Sequence, residues 1–148
     1  MKVSEAMTSS VRVIAPDQTI RDAARMMADG DLGAVPVGRD DRLIGMVTDR
    51  DIAVRAVAEG LSPDTPVEEV MSREVKYCFD DEDLDHVASN MGQIQVRRLP
   101  VVNRDKRLVG IVSIGDISGC EDAGKTGKAI AGISTPGGAH SQATQVGV

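Results

Sequence analysis

The chain's 148 residues suffice for one compact domain or two small, intimately packed halves, and an apolar content of 41% excludes a wholly disordered chain. Aromatic residues make up only 1%, Tyr77 and Phe79 with no Trp, so the core is expected to be aliphatic and Met-filled, and stacking on nucleic-acid bases has almost no side chain to use. A net charge of −6 also argues against a general nucleic-acid binder.

The N-terminus, Met1-Lys2-Val3-Ser4-Glu5, lacks an apolar signal core, and no run approaches a membrane span. Cys78 and Cys120 form no metal pattern, and a reduced setting is the default for such a pair. A soluble cytoplasmic protein is expected.

The first half opens on Val3-x-x-x-Met7-Thr8, followed by the strand-like Val11, Val13 and Ile14. Ile20, Ala23, Ala24 and Met27 then recur at i, i+3, i+4, i+7, one apolar face of a helix. Leu32 to Val37 is strand-like, and Pro36 within it predicts an edge or interrupted strand. Gly38-Arg39-Asp40-Asp41 reads as a hairpin turn. Leu43 to Val47 reads as a buried strand that ends at Thr48. From Asp51 the pattern changes to Ile52, Ala53, Val54, Ala56 and Val57, which has helical spacing and little polar surface. One face of that helix packs on its own sheet and the remainder needs another surface, so a homodimer is predicted.

After a link at Gly60–Pro66 the same series returns. Val67-x-x-x-Met71-Ser72, then Val75, Tyr77 and Cys78, then Leu84, Val87, Ala88 and Met91, then Val96 to Val101 match the first half at a shift of 64. Pro100 stands where Pro36 stood. Leu108-Val109-Gly110 matches Leu43-Ile44-Gly45 at a shift of 65, so the loop Asn103-Arg104-Asp105-Lys106 is one residue longer. Each half reads short helix, β, α, β, β, α. A half of this size buries its surface poorly alone, and two halves packed sheet to sheet with helices outside, in an α/β (α+β) fold of two βαββα repeats, is the expected solution. The boundaries expected are residues 1–62 for the first repeat, 63–118 for the second, and a flexible Gly-rich tail over 119–148, with one weak turn at 128–133.

Thr48-x-x-Asp51 and Ser113-x-x-Asp116 stand where a strand runs into a helix. A helix start presents unpaired N–H groups and a positive dipole end, which suit phosphate. The bland alternative is a capping box that satisfies the helix's own N–H groups. Such a box favours Glu or Gln at its last place, whereas both copies carry the shorter Asp, and a carboxylate offers two acceptor oxygens at the spacing of a vicinal diol's donors. Arg97-Arg98 reads either as a solvated pair at a strand edge or as a phosphate clamp of guanidinium forks.

Taken in order and in register, Val-x-x-x-Met-Thr/Ser, the central Pro-Val and Gly-x-x-Thr/Ser-x-x-Asp-Ile, present twice, resemble a tandem CBS (cystathionine-β-synthase) domain pair, or Bateman module, of the small stand-alone bacterial kind. The resemblance implies a regulatory sensor that binds an adenine-containing nucleotide (AMP, ADP, ATP, NAD or S-adenosylmethionine), dimerises and signals to a regulated protein. It implies that each Asp takes the ribose hydroxyls and each Thr or Ser meets a phosphate. It also implies that residues before the central Pro serve the opposite repeat's Asp: Tyr77, Val96, Arg97 and Arg98 for Thr48, Arg50 and Asp51, and Val13, Leu32, Gly33 and Ala34 for Ser113 and Asp116.

Rival readings are few. Gly119-x-x-x-x-Gly124-Lys125-Thr126 satisfies a P-loop pattern and would suit a nucleotide hydrolase, yet it follows a predicted helix, and Glu121 and Asp122 would put negative charge in the cradle. Asp80 to Asp85 tempts a metal reading, but an EF-hand counted from Asp81 would have His86 at the Gly place and Gly92 at the Glu place. Acids that complement a helix dipole explain the run better. His86 is expected on the surface, His140 lies in the tail, and Cys78 reads as a small buried apolar residue. No catalytic constellation and no metal site emerge. The remaining rival is a ligand-free dimeric scaffold in which both Thr/Ser-x-x-Asp pairs merely cap helices.

Overall fold

The computed structural model describes residues 1–120 and 123–135. Helices and strands follow the expected order, except that the strand expected at Val11–Ile14 is reduced to a single bridge at Ile14, giving a mixed α+β chain. Two compact units form, and they redistribute the repeats. One contains Arg12–Val75 with Lys106–Leu108; the other contains Met1–Val11, Lys76–Asp105 and the chain from Val109. The leading segment of each repeat is thus built into the unit of the other, where the sequence placed it with its own repeat.

In the unit of the first repeat, Thr19 caps α2 (Ile20–Gly30): its hydroxyl accepts from the Asp22 N–H at 3.1 Å, and Asp22 accepts from the Thr19 N–H at 3.2 Å. The helix buries Ile20, Ala23 and Met27, while Ala24 of the predicted stripe is exposed. Strands β1 (Ala34–Arg39) and β2 (Arg42–Thr48) pair antiparallel from Ala34↔Thr48 to Arg39↔Arg42. Asp40 and Asp41, both left-handed at φ 54° and 63°, close the hairpin as a two-residue turn whose twist matches the strands. Pro36 lies in the two-stranded sheet β1–β2, whose register shifts between Val37 and Gly38, and the outer side of β1 is touched by a single bridge. The Ile14 N–H donates to the Pro36 carbonyl and the Gly38 N–H to the Ile14 carbonyl, both at 3.0 Å, so β1 lies between β2 and Ile14. The missing N–H costs nothing, because Pro36 faces Met46, whose own N–H and C=O turn the other way, to Ser72, at 3.0 and 2.8 Å. A Cβ on Gly45 would run into Met71 Sδ and lie 3.0 Å from the Ser72 carbonyl oxygen. The Met-Ser mark and the Gly mark of the sequence are therefore two sides of one contact. A core of Ile14, Ile20, Met27, Val35, Val47, Val67 and Met71 follows.

The other unit repeats the plan. Strand β3 (Cys78–Phe79) runs parallel to β4 (Arg98–Val102), and β5 (Leu108–Ser113) lies on the far side of β4. Pro100 is therefore in a central strand, beside a partner only two residues long. Short helix α1 (Val3–Ala6) docks through Val3 N–H to the Glu82 carbonyl, 3.0 Å, and Thr8 exchanges hydrogen bonds with Ile111 at 2.8 and 2.9 Å. A Cβ on Gly110 would fall 2.6 Å from Met7 Sδ and 2.9 Å from the Thr8 carbonyl oxygen, the same lock as at Gly45. The longer loop is an Asx turn, in which Asn103 Oδ1 accepts from the Asp105 N–H at 3.0 Å, with Lys106 left-handed at φ 61°. Leu84, Val87, Ala88 and Met91 of α4 (Leu84–Ile94) are buried with Val3, Val101, Val112 and Ile117, the last from α5 (Ile114–Cys120).

The tail departs from expectation. Ala123–Ser134 forms a three-turn helix, α6, packed on α4 and touching α5. Three glycines inside it cost about 1 kcal/mol each in helix propensity, so it is docking that holds it. The small residues permit that docking. A Cβ on Gly132 would collide with the Gly92 carbonyl oxygen, and one on Gly92 would lie 3.1 Å from the Ala129 Cα. Gln95, left-handed at the end of α4, donates its amide to the Gly132 and Thr135 carbonyls at 3.2 and 2.8 Å and so caps α6. Residues 136–148 of the expected tail, with His140, lie outside the described residues.

Candidate functional site

Thr48 is the N-cap of α3 (Asp49–Asp51), which continues without a break into a π-helical segment, Ile52–Val57. The Thr48 hydroxyl accepts from the Asp51 N–H at 3.0 Å, and Asp51 Oδ2 accepts from the Thr48 N–H at 2.9 Å. The Asp51 carboxylate is only 15% exposed. Its other oxygen lies 3.7 Å from Arg55 Nε. The Arg50 N–H donates to Asp49 Oδ1 at 2.8 Å.

Ser113 and Asp116 reproduce the arrangement at the start of α5: Asp116 N–H to Ser113 Oγ, 3.1 Å, and Ser113 N–H to Asp116 Oδ2, 2.9 Å. Among the described residues, no cation lies within ion-pair distance of Asp116.

Each unit gathers its share of the predicted residues at the mouth of its own helix. In the first, the Asp49 N–H donates to the Gly33 carbonyl at 3.0 Å and Ala34 pairs with Thr48, while Leu32 packs against the core. In the second, the Ile114 N–H donates to the Arg97 carbonyl at 3.0 Å, and Val96 packs against the core. Arg97 and Arg98 are exposed and make no side-chain ion pair among the described residues. Val13 and Tyr77, matched positions of the two repeats, stand 41% and 42% exposed. Tyr77 lies edge-on to Phe79 at 5.7 Å between ring centroids.

Two features escaped the sequence reading. Thr19-x-x-Asp22 forms the same reciprocal box as a plain helix start, so Asp in place of Glu does not by itself distinguish a ligand site from a cap. Arg55 was not singled out, although an acid and a cation four apart on a helix are a legible pair. At Asp51 and Asp116 the cap uses one carboxylate oxygen: Oδ2 accepts from the backbone N–H of Thr48 or Ser113, and a carboxylate has further lone pairs beyond that bond.

The other candidates resolve plainly. Gly119 lies in α5 and Gly124–Thr126 in α6, so the described part of the P-loop pattern is helical and follows no strand, and Glu121 and Asp122 lie outside the described residues. In the acidic run, Asp81 is clamped by Arg104 at 2.6 to 3.1 Å, which holds its carboxyl below the usual range, and Arg104 also covers Phe79 at 4.0 Å from the ring centroid. Glu82 accepts from the Phe79 N–H at 2.9 Å, and Asp83 caps α4. His86 is exposed beside Asn90, 3.3 Å away. Among the described residues no group of three His, Cys, Asp or Glu could hold a metal ion. Burial, and then the charges of Glu82 and Asp80, push the Cys78 thiol up to about 12, which leaves it a poor nucleophile. No helix among the described residues is long and apolar enough to cross a membrane.

The CBS domain model matches residues 3–57 and 67–120. The CBS domain-containing protein YhcV of Bacillus subtilis is 44% identical over 116 residues, spanning 78% of this chain and 82% of that one. The crystal structure of Hypoxic Response Protein I with two coordinated zinc ions superimposes with a TM-score of 0.75 at 35% identity, over 82% of this chain and all of that one. The CBS domain protein PAE2072 of Pyrobaculum aerophilum, complexed with AMP, does so with a TM-score of 0.74 at 25% identity, over 88% and 99%.

Proposed function

We propose that this chain, which belongs to the CBS domain family, is a regulatory module that binds an adenine nucleotide at its Thr/Ser-x-x-Asp helix starts and passes its level to a protein partner in the cytoplasm. One observation carries the reading. Twice in one chain, a strand ends in a hydroxyl whose partner Asp is held by the backbone, beside the segment that opens the neighbouring strand. In each repeat an apolar side chain, Val13 or Tyr77, is left exposed at the matching place, as a surface for a base would require. A structural neighbour at 25% identity holds AMP. Asp51 and Asp116 take the ribose hydroxyls, Thr48 and Ser113 a phosphate, and Arg97 and Arg98 serve as phosphate ligands through their guanidinium forks. The partner copy in a homodimer is proposed to cover Val54 and Val57, exposed by 45% and 69% on a helix with few polar side chains.

A thermal-shift panel of AMP, ADP, ATP, NAD and S-adenosylmethionine tests this. A ligand at a hundred times its Kd stabilises the folded state by about 2.7 kcal/mol, which for a chain of this size raises Tm by about 5–10 °C. No shift with any of the five would overturn the reading. The rival is a ligand-free scaffold, which the plain cap at Thr19 and Asp22 favours. Under it, Asp51→Asn changes stability and no binding.

A further inference from the structure

We propose that Arg55 is a positioning residue for Asp51, fixing the plane of its carboxylate so that the first site selects a ribose with both hydroxyls present; the inference rests on the nucleotide-binding reading above. Three contacts place the side chain. Its Nε lies 3.7 Å from Asp51 Oδ1, and its Nη1 donates to the carbonyls of Val70 and Met71 at 3.3 and 3.5 Å. Those carbonyls end the turn that begins at Val67, where the N–H groups of Val70 and Met71 both bond back to the Val67 carbonyl. The guanidinium is thus tethered at its far end to backbone acceptors and turns its near end to the carboxylate. Asp51 Oδ2 is already fixed by the Thr48 N–H. With Arg55 beside Oδ1, rotation of the carboxylate about its last bond is opposed from both sides.

The second site lacks this brace. At the repeat shift of 65, Arg55 corresponds to Cys120, and no cation stands four residues after Asp116. The backbone differs as well. The segment that carries Arg55 is π-helical over Ile52–Val57, with the Ala58 N–H bonded to the Ala53 carbonyl at 3.0 Å, whereas α5 is regular. Wide turns of this kind recur at functional positions, where they re-aim a side chain. The side-chain contacts of Arg55 are with Asp51 and the Val70 and Met71 carbonyls, so its effect is proposed to run through Asp51.

The test compares AMP with 2′,3′-dideoxy-AMP, which offers Asp51 no diol, by calorimetry in an Asp116→Asn background so that only the first site reports. Wild-type Arg55 is expected to prefer AMP. Arg55→Gln is expected to lower AMP affinity about fivefold, the scale of a partly exposed ion pair, and to leave dideoxy-AMP affinity unchanged. A merely structural role for Arg55 would weaken both ligands together, and that result, or an unchanged AMP preference, overturns the inference while the nucleotide-binding reading stands. If the parent protein binds both ligands equally, the diol assignment of Asp51 falls and the inference with it. Should Arg55→Gln not fold, Arg55→Lys, which keeps the stem and a charge but loses the fork, is read by the same two affinities.

Discussion

Two glycines of α6 separate a docked helix from a loose tail by the sign of one substitution. At Gly132 a new Cβ would meet the carbonyl oxygen of Gly92, and would lie 2.8 Å from its carbonyl carbon and 3.0 Å from its Cα. All three are backbone atoms, so no rotamer change relieves the clash, and α4 and α6 must move apart. Overpacking of this kind costs about 1–3 kcal/mol, against about 1 kcal/mol gained in helix propensity. The separation also strains two hydrogen bonds from Gln95, each contributing about 1 kcal/mol. Gly132→Ala is therefore expected to destabilise the protein by about 1–2 kcal/mol, or about 2–8 °C in Tm. At Gly127 a Cβ meets nothing within 4 Å, so Gly127→Ala keeps the propensity gain and stabilises by up to about 1 kcal/mol. Urea unfolding followed by circular dichroism, with hydrogen exchange over residues 123–134, reads both variants. If Gly132→Ala is as stable as Gly127→Ala, α6 is not docked against Gly92 and this account of the helix fails.

Burial of Cys78 gives a pH dependence. Its folded pKa is raised from 9.0 to about 12, so the stability it contributes is full below pH 9 and is lost as pH rises from there toward 12. The urea midpoint of the parent should fall over that window more steeply than that of Cys78→Ala, and parallel slopes would count against it. Arg98→Ala should weaken AMP by about tenfold or more and adenosine far less, measured by calorimetry, because a charge-assisted hydrogen bond contributes roughly 1.5–3 kcal/mol. Val57→Glu should convert a dimer at micromolar concentration into a folded monomer in light scattering, and a parent that is already monomeric would refute the proposed interface.

The repeat was legible because its periodicities are local. Leu84, Val87, Ala88 and Met91 are all buried as their spacing predicts. Ala24 breaks the matching stripe, and among the described residues of its unit no helix lies over α2 as α6 lies over α4. The exchange of leading segments was not legible, because matching Val3-x-x-x-Met7 to Val67-x-x-x-Met71 shows that both exist and says nothing of which glycine each one covers. Pro100 lies in a central strand against expectation, since the rule against Pro assumes a partner along the whole strand and β3 is only two residues long, whereas β1 with Pro36 has just the single bridge from Ile14 on its outer side and a register shift after Val37. The tail was misread because Gly124, Gly127 and Gly132 look like flexibility in composition, whereas Gly132 works by close approach to Gly92. At the two strand-to-helix junctions, residue types and spacing located the reciprocal caps Thr48–Asp51 and Ser113–Asp116. Arg55 escaped because the backbone carbonyls that tether it lie 15 and 16 residues away in sequence.

The central claim is that Asp51 binds a nucleotide beyond capping its helix, and calorimetric titration of AMP into the parent, Asp51→Asn and Asp116→Asn tests it most directly. Asn keeps one oxygen to accept the Thr48 N–H, so the fold and the cap are retained while the charge that meets the ribose is lost. The account predicts that the tighter site disappears in Asp51→Asn, with a loss of about tenfold to over a hundredfold, and persists in Asp116→Asn. It predicts this order because the first site carries Arg50 and Arg55 where the second has Gly115 and Cys120. AMP bound by Asp51→Asn with the parent's affinity would contradict it.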